Sequence, residues 1–270
     1  MRQIILAIPI LFLFTFCSGQ QHEKNSKSNI VVLTTEYGDI KIMLYDETKA
    51  HKENFLRLVN NGSYNDLLFH RVIKGFMIQG GDPESKDAPA GKVLGNGDPG
   101  YTLPAEIFPA YMHKRGALAA ARMGDEVNPE QRSSGSQFYL VQGRTFTDTE
   151  LDQLEKRVNQ MRMQNLYLRF FIKARESAKA QGIQVDMNLI SANASDSVQR
   201  IASTLAPFKY TPEQRNIYKT LGGAPHLDGA YTVFGEVLEG FDVIDKIAAQ
   251  PVDQNSRPLR NISMKIKTVK

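Results

Sequence analysis

The sequence predicts a mainly β fold into which one α-helical segment has been inserted. Three observations carry that prediction. Short segments with period-two alternation, separated by Gly-, Pro- and Asn-containing turns, fill the first half of the chain. Residues 144–221 then switch to apolar steps of three and four. After that block the strand pattern returns and runs to the C-terminus.

In order, residues 30–45 read as a hairpin. Its second strand alternates, with Ile40, Ile42 and Leu44 on one face and Lys41, Met43 and Tyr45 on the other. Residues 48–60 read as a helix, with Phe55, Leu58 and Val59 as the apolar stripe and Asn61-Gly62 as its close. Such a helix would plug a barrel end or cover a sheet face.

Residues 69–82, FHRVIKGFMIQGGD, read as two short strands broken at Lys74-Gly75. Alternation in the second sends Met77 and Gln79 to one face and Phe76 and Ile78 to the other. A face with a flexible thioether and a primary amide suits a pocket for an apolar ring attached to a peptide carbonyl. Arg71 adds five fixed donors beside it. The competing reading of the same residues is a core strand with a snorkelling Arg.

Residues 82–109 are loop-like. Gly95-Asn96-Gly97-Asp98-Pro99-Gly100 matches G-x-G-x-x-G, but Tyr101-Thr102-Leu103-Pro104 follows where a dinucleotide loop needs a helix, so the segment reads as turns. Residues 116–121 form a strand of small side chains, over which a ligand or a backbone can come close. Residues 136–142 form another, carrying Gln137 and Phe138.

The helical block opens on Thr147-Asp148-Thr149-Glu150, which fits a capping box. Leu151, Leu154, Val158, Met161, Asn165, Leu168 and Ile172 continue one stripe, with Gly182 as the stop. A weaker helix covers residues 187–205, and a third begins at Thr211-Pro212-Glu213 and ends at Gly222-Gly223. An amphipathic helix buries its stripe, so the block is expected to pack on the β body rather than stand away as a substrate-holding arm. Strand 231–237, a short helix at 241–249 and the alternating strand 262–269 complete the chain.

Composition narrows the chemistry. The 270 residues carry 33 basic and 29 acidic side chains, a net charge of +4. That balance gives no nucleic-acid footprint. Cys17 is the single cysteine, so an internal disulfide is impossible. None of the five histidines pairs with another at metal-ligand spacing, so no metal site is expected.

At the N-terminus Arg2 precedes an apolar run, Ile4 to Phe16, interrupted by Pro9 and Thr15. The run is short for a membrane span and right for a signal-peptide core. Cys17 follows directly, then a polar stretch rich in Gln, Asn, Ser and Lys. Residues 1–17 resemble a bacterial lipoprotein signal peptide, with Cys17 as the lipidated residue, although Phe16 stands where a small residue is usual. Residues 18–29 read as a flexible tether. The expectation is an exported protein of the bacterial cell envelope or periplasm, anchored to a membrane through Cys17.

Residues 69–82, Gly135-Ser136-Gln137-Phe138-Tyr139, and His226-Leu227-Asp228-Gly229 with Val233-Phe234-Gly235 resemble the cyclophilins, a family of peptidyl-prolyl cis–trans isomerases. The resemblance covers residues 29–142 and 222–270 in the family's order and skips the helical block. It implies an eight-stranded antiparallel barrel capped by two helices, over residues 30–270 and interrupted by the insertion at 144–221. It places the family's essential arginine on Arg71 and its hydrogen-bonding glutamine on Gln79. The proline pocket falls on Phe76, Met77, Phe138 and Leu227. The strand passing close to the substrate backbone falls on Ala121 and Arg122, with Gln137 nearby. Three departures stand out: His226 where many eukaryotic members have tryptophan, which implies weak cyclosporin binding; Tyr231 where many have histidine; and Arg122 where asparagine is usual.

The resemblance implies an isomerase acting on proline-containing polypeptides, with no cofactor. The chemistry asks for none, because rotation about an amide needs a held ring and a well-placed cation. Two other readings compete: a proline-peptide-binding chaperone module with little turnover, and a structural lipoprotein whose insertion docks a partner.

Overall fold

This computed structural model describes residues 29–184 and 186–269. The expected signal peptide with Cys17, and residues 18–28 of the expected tether, lie outside the described residues. β1 (Ile30–Thr35) and β2 (Gly38–Leu44) form the expected hairpin, paired from Ile30↔Met43 to Thr35↔Gly38. α1 (Lys49–Asn60) buries Phe55, Leu58 and Val59 as its stripe requires. The Glu106 carboxylate, from the long loop, accepts from the N–H groups of Ala50 (3.1 Å) and His51 (3.0 Å). An acidic group there answers the unpaired first-turn donors and the helix dipole.

β3 (Leu67–Leu68), β4 (Arg71–Ile73) and β5 (Met77–Gly80) come next, then β6 (Thr102–Leu103), β7 (Ala117–Ala120), β8 (Ser133–Ser134) and β9 (Phe138–Val141). β3, β6 and β8 are two-residue pieces, too short to show a period. β6 pairs with β8 in a small separate sheet. The insertion supplies α2 (Asp148–Ala180), α3 (Met187–Ala202) and α4 (Pro212–Thr220). Both capping boxes form, Thr147 with Glu150 and Thr211 with Gln214. β10 (Val233–Glu239), α5 (Phe241–Ala248) and β11 (Ser263–Thr268) end the described chain.

The main sheet runs β3-β11-β1-β2-β10-β7-β9-β5-β4. Its two end strands are halves of one bent segment. The Phe69 N–H donates to the Ile262 carbonyl beside β11 (2.9 Å), and the next residue, His70, donates its N–H to the Gln79 carbonyl of β5 (3.0 Å). The sheet therefore closes on itself. Counting residues 67–73 as one bent strand turns the nine strands of the order into the expected eight.

Alternation divides the apolar residues into two layers. Leu118, Ala120, Phe138, Leu140 and Ile78 face the barrel interior, with Phe55, Leu58 and Val59 of α1 and Val243, Ile244 and Ile247 of α5. Ala117, Ala119, Tyr139, Val141 and Met77 face outward into a second cluster that includes Phe76, Leu227 and Tyr231.

The insertion leaves and returns at one point: the Gly223 N–H donates to the Arg144 carbonyl (2.9 Å) and the Arg144 N–H to that of Gly223 (3.3 Å). Its root packs on the barrel through Leu151, Leu154, Tyr210 and Tyr218 against Met112. The Tyr218 hydroxyl donates to Asp228 Oδ2 (2.5 Å). The expectation that the whole stripe packs on the barrel holds only for this root. A 33-residue helix is about 50 Å long, far longer than the barrel face it meets. Past Asn165 no residue of α2 is buried. The distal half meets α3, for example through Tyr167 Oη and Ser191 Oγ (3.0 Å).

His70 sits at the barrel closure, 3 % exposed, and among the described residues neither ring nitrogen makes a hydrogen bond of normal geometry. Burial brings its pKa down from 6.5 to about 4. The unfolded chain therefore takes up this proton first as pH falls, and stability drops from about pH 7 down to about pH 4. The full effect is on the order of 3 kcal/mol. Thermal melts across that window are expected to show a steeper fall in Tm for wild type than for His70→Asn, and parallel curves would show that His70 does not contribute.

Candidate functional site

β4 and β5 place the central pair. In their antiparallel register Arg71 stands opposite Gln79, and Arg71 Nη1 donates to Gln79 Oε1 (3.2 Å). That bond orients the amide, leaving Gln79 Nε2 to donate to Gln137 Oε1 (3.1 Å). Gln137 Nε2 in turn donates to the carbonyls of Gly95 (3.0 Å) and Gly97 (2.9 Å). Among the described residues no carboxylate lies within ion-pair distance of Arg71, and its side chain is exposed. Its charge is thus open to a ligand.

The Gly-rich turns that resemble a nucleotide loop become one wall of the cavity. Asp82, fully buried, accepts from the N–H groups of Glu84 (2.8 Å) and Gly95 (2.5 Å). Gly97 lies so close that a Cβ there would sit 1.9 Å from Asp82 Oδ1. Gly81, at φ +86°, brings the end of β5 against residue 136: a Cβ would sit 2.3 Å from the Ser136 carbonyl. Buried Arg257 donates to the carbonyls of Lys92 and Pro89 and holds residues 89–92 at the rim.

These elements enclose a cavity of about 330 Å³. Arg71, Gln79, Phe76, Met77, Ala121, Arg122, Leu227 and Tyr231 all line it. Phe76 precedes β5, in the turn from β4, so strand alternation does not govern it and it joins Met77 rather than opposing it. The Arg122 guanidinium is committed: Nε donates to the Ala230 carbonyl (2.8 Å), Nη1 pairs with Asp125 (2.7 Å), and the group lies over the Tyr231 ring at 4.3 Å. Its backbone N–H and carbonyl make no hydrogen bond among the described residues.

Three expected residues sit elsewhere. Phe138 points into the barrel, edge-on to Phe55 (5.5 Å) and Tyr64 (5.4 Å). Its neighbour Tyr139 takes the pocket position. A one-residue offset on a strand changes the face, and the alternation from Gln137 to Tyr139 is the signal that names the right aromatic. Gln137 stands behind Gln79 rather than in the wall. His226 lies beyond Phe76, ring centroids 5.0 Å apart, facing a second cavity. Burial holds its pKa below the usual histidine value. Other lining residues that the sequence does not name, among them His70, Asn96 and Arg257, come from loops or strand ends and carry no periodic signal.

Gln137→Leu would leave Gln79 Nε2 and the carbonyls of Gly95 and Gly97 without this partner. A loss of roughly 2–4 kcal/mol is expected, read as a Tm several degrees lower; an unchanged Tm would show that Gln137 does not hold the loop.

The sequence model of the family described as "Cyclophilin type peptidyl-prolyl cis-trans isomerase/CLD" matches residues 30–159 and 212–270. The chain is 28% identical to peptidyl-prolyl cis-trans isomerase-like 2 of Rhizopus delemar, over 90% of this chain but only 29% of that longer protein. It is 26% identical to peptidyl-prolyl cis-trans isomerase CYP18-1 of Arabidopsis thaliana, over 88% of this chain and 94% of that one. In fold it is similar to the crystal structure of a Cryptosporidium parvum cyclophilin type peptidyl-prolyl cis-trans isomerase in the presence of the dipeptide Ala-Pro. There the TM-score is 0.51 at 21% identity, over 89% of this chain and 99% of that chain. The two matched segments bracket the insertion and span the closed sheet, its two capping helices and the pocket: the chain belongs to the cyclophilin-type peptidyl-prolyl cis–trans isomerases.

Proposed function

We propose that this isomerase acts on X-Pro bonds of extended polypeptides outside the cytoplasm, with Arg71 as the catalytic group. The observation that carries the catalytic part is the unpaired Arg71 guanidinium, oriented by Gln79 at the edge of an apolar cavity. Amide resonance sets a rotation barrier of about 18–20 kcal/mol. As the bond twists, conjugation is lost and the proline nitrogen becomes pyramidal and basic. A guanidinium aimed at that nitrogen stabilises the twisted state more than either planar state, and only such a difference raises the rate. Phe76, Met77, Leu227 and Tyr139 hold the ring while the preceding residue turns. The free backbone groups of Arg122 offer the substrate backbone a strand-like partner.

Arg71→Ala is expected to lower kcat/KM on a proline tetrapeptide by about 10²–10³-fold, while Kd for the same peptide changes only a few-fold. A loss shared equally between turnover and binding would make Arg71 a binding group. Wild-type binding that depends on proline, with no turnover above buffer, would favour the peptide-holding module instead.

Export and anchoring rest on the Arg2, apolar run and Cys17 pattern. Among the described residues no helix is long and apolar enough to cross a membrane, so attachment would come from the lipid at Cys17. In bacterial cells wild type is expected to take up radiolabelled palmitate and enter the detergent phase, and Cys17→Ser to do neither. Labelling of both or of neither would remove the anchor from this reading.

A further inference from the structure

A second cavity, of about 180 Å³, lies beside the first, between α2 and residues 226–230. The partition between them is one chain thick. Leu227 and Tyr231 line the first cavity, while His226 and Ala230 line the second. The ridge is held by Arg122, whose Nε donates to the Ala230 carbonyl (2.8 Å). The rings of Phe76 and His226 meet across it, 5.0 Å apart.

The far wall is built by the insertion. Val158, Met161 and Leu166 of α2 supply it, and Leu205 after α3 completes it with 39 % of its surface exposed. Met161, Leu166 and Leu205 fall between the two segments matched by the family model, so this wall belongs to the insertion and not to the shared barrel. Three of the polar side chains at the rim are already engaged. Asn165 Nδ2 donates to the Pro129 carbonyl (2.9 Å). Asp228 accepts from the His113 N–H (2.9 Å) and from the Tyr218 hydroxyl (2.5 Å). Asp125 pairs with Arg122 (2.7 Å). Gln131, Arg162 and His226 also line the cavity, so an occupant meets polar groups as well as the carbon wall of Val158, Met161, Leu166 and Leu205.

We propose that this cavity is a second polypeptide subsite, taking an apolar side chain of the same chain whose proline occupies the first pocket. The proposal rests on the isomerase reading and deepens it, naming the substrate as a long, unfolded polypeptide with an apolar residue near its proline. Continuity selects the occupant. An extended chain advances about 3.3–3.6 Å per residue, so residues two to four positions from the proline reach roughly 7–14 Å, enough to cross a ridge one strand wide. A tetrapeptide centred on proline is too short to use the subsite fully. The insertion would thus separate long clients from short ones without touching the rotating bond.

The test uses fluorescein-labelled peptides and anisotropy, which reads binding whether or not turnover occurs. Four peptides combine Pro or Ala at the centre with Leu or Ala two to four residues to either side. Wild type is expected to bind the Pro peptides with Leu about tenfold tighter than those with Ala. Met161→Glu should abolish that Leu advantage and Met161→Leu should keep it. A melt of Met161→Glu within a few degrees of wild type shows that the loss is not unfolding; if that variant melts early, Leu205→Glu, at a more exposed position, is read in its place. Equal affinity for Leu and Ala peptides, or a Leu advantage that survives both Glu variants, overturns the subsite. Concentration-dependent dimerisation of wild type that Met161→Glu removes would also overturn it, assigning the cavity to a second copy of the chain. Equal affinity for Pro and Ala centres would instead overturn the proline-pocket reading, so the two failures are told apart.

Discussion

The pocket depends on residues 67–73 being hydrogen-bonded on both sides. Phe69 pairs toward β11 and His70 toward β5, and that change of partner within two residues closes the sheet. Closure removes both open edges, which would otherwise template aggregation. It also sets the register in which Arg71 stands opposite Gln79. A slip of one residue would turn the guanidinium to the other face.

From that pair, order spreads by hydrogen bonds rather than by packing. Arg71 orients Gln79, Gln79 meets Gln137, and Gln137 holds the carbonyls of Gly95 and Gly97. Asp82, at the end of the motif, ties the same loop from the other side through the Gly95 N–H. A loop with few apolar residues is fixed in this way at the cavity rim. The Arg71 guanidinium is positioned with no carboxylate paired to it among the described residues, and a charge left open acts more strongly on a ligand than one already neutralised.

The insertion meets the same architecture through a buried polar chain. Tyr218 of α4 donates to Asp228; Asp228 bonds His113 Nδ1 (2.8 Å), and His113 Nε2 meets the Tyr139 hydroxyl (3.0 Å). Tyr139 is a pocket residue. The insertion's root is therefore continuous with the wall of the first cavity, whereas its distal half has little besides α3 to pack against.

By itself, the sequence determined the hairpin, the longer strands, the helices, and the capping boxes that open α2 and α4. These follow from local periodicity and from turn and cap chemistry, which need no distant partner, whereas Ala121, Arg122, Leu227 and Tyr231 are named through the family resemblance. It also identified Arg71, Met77 and Gln79 as one chemical group. Tertiary structure alone decided the rest. Strands of two residues have no period, so β3 and the closure it makes are visible only through their partners. Phe138 and Tyr139 are both aromatic, and only the barrel's inside and outside tell them apart. The dismissed glycine turns gained a role because Asp82 and Gln137 reach them from segments far away in the chain. His226 moved to a second cavity because α2 arrives beside it. Each of these depends on long-range contacts, whose geometry no local pattern encodes.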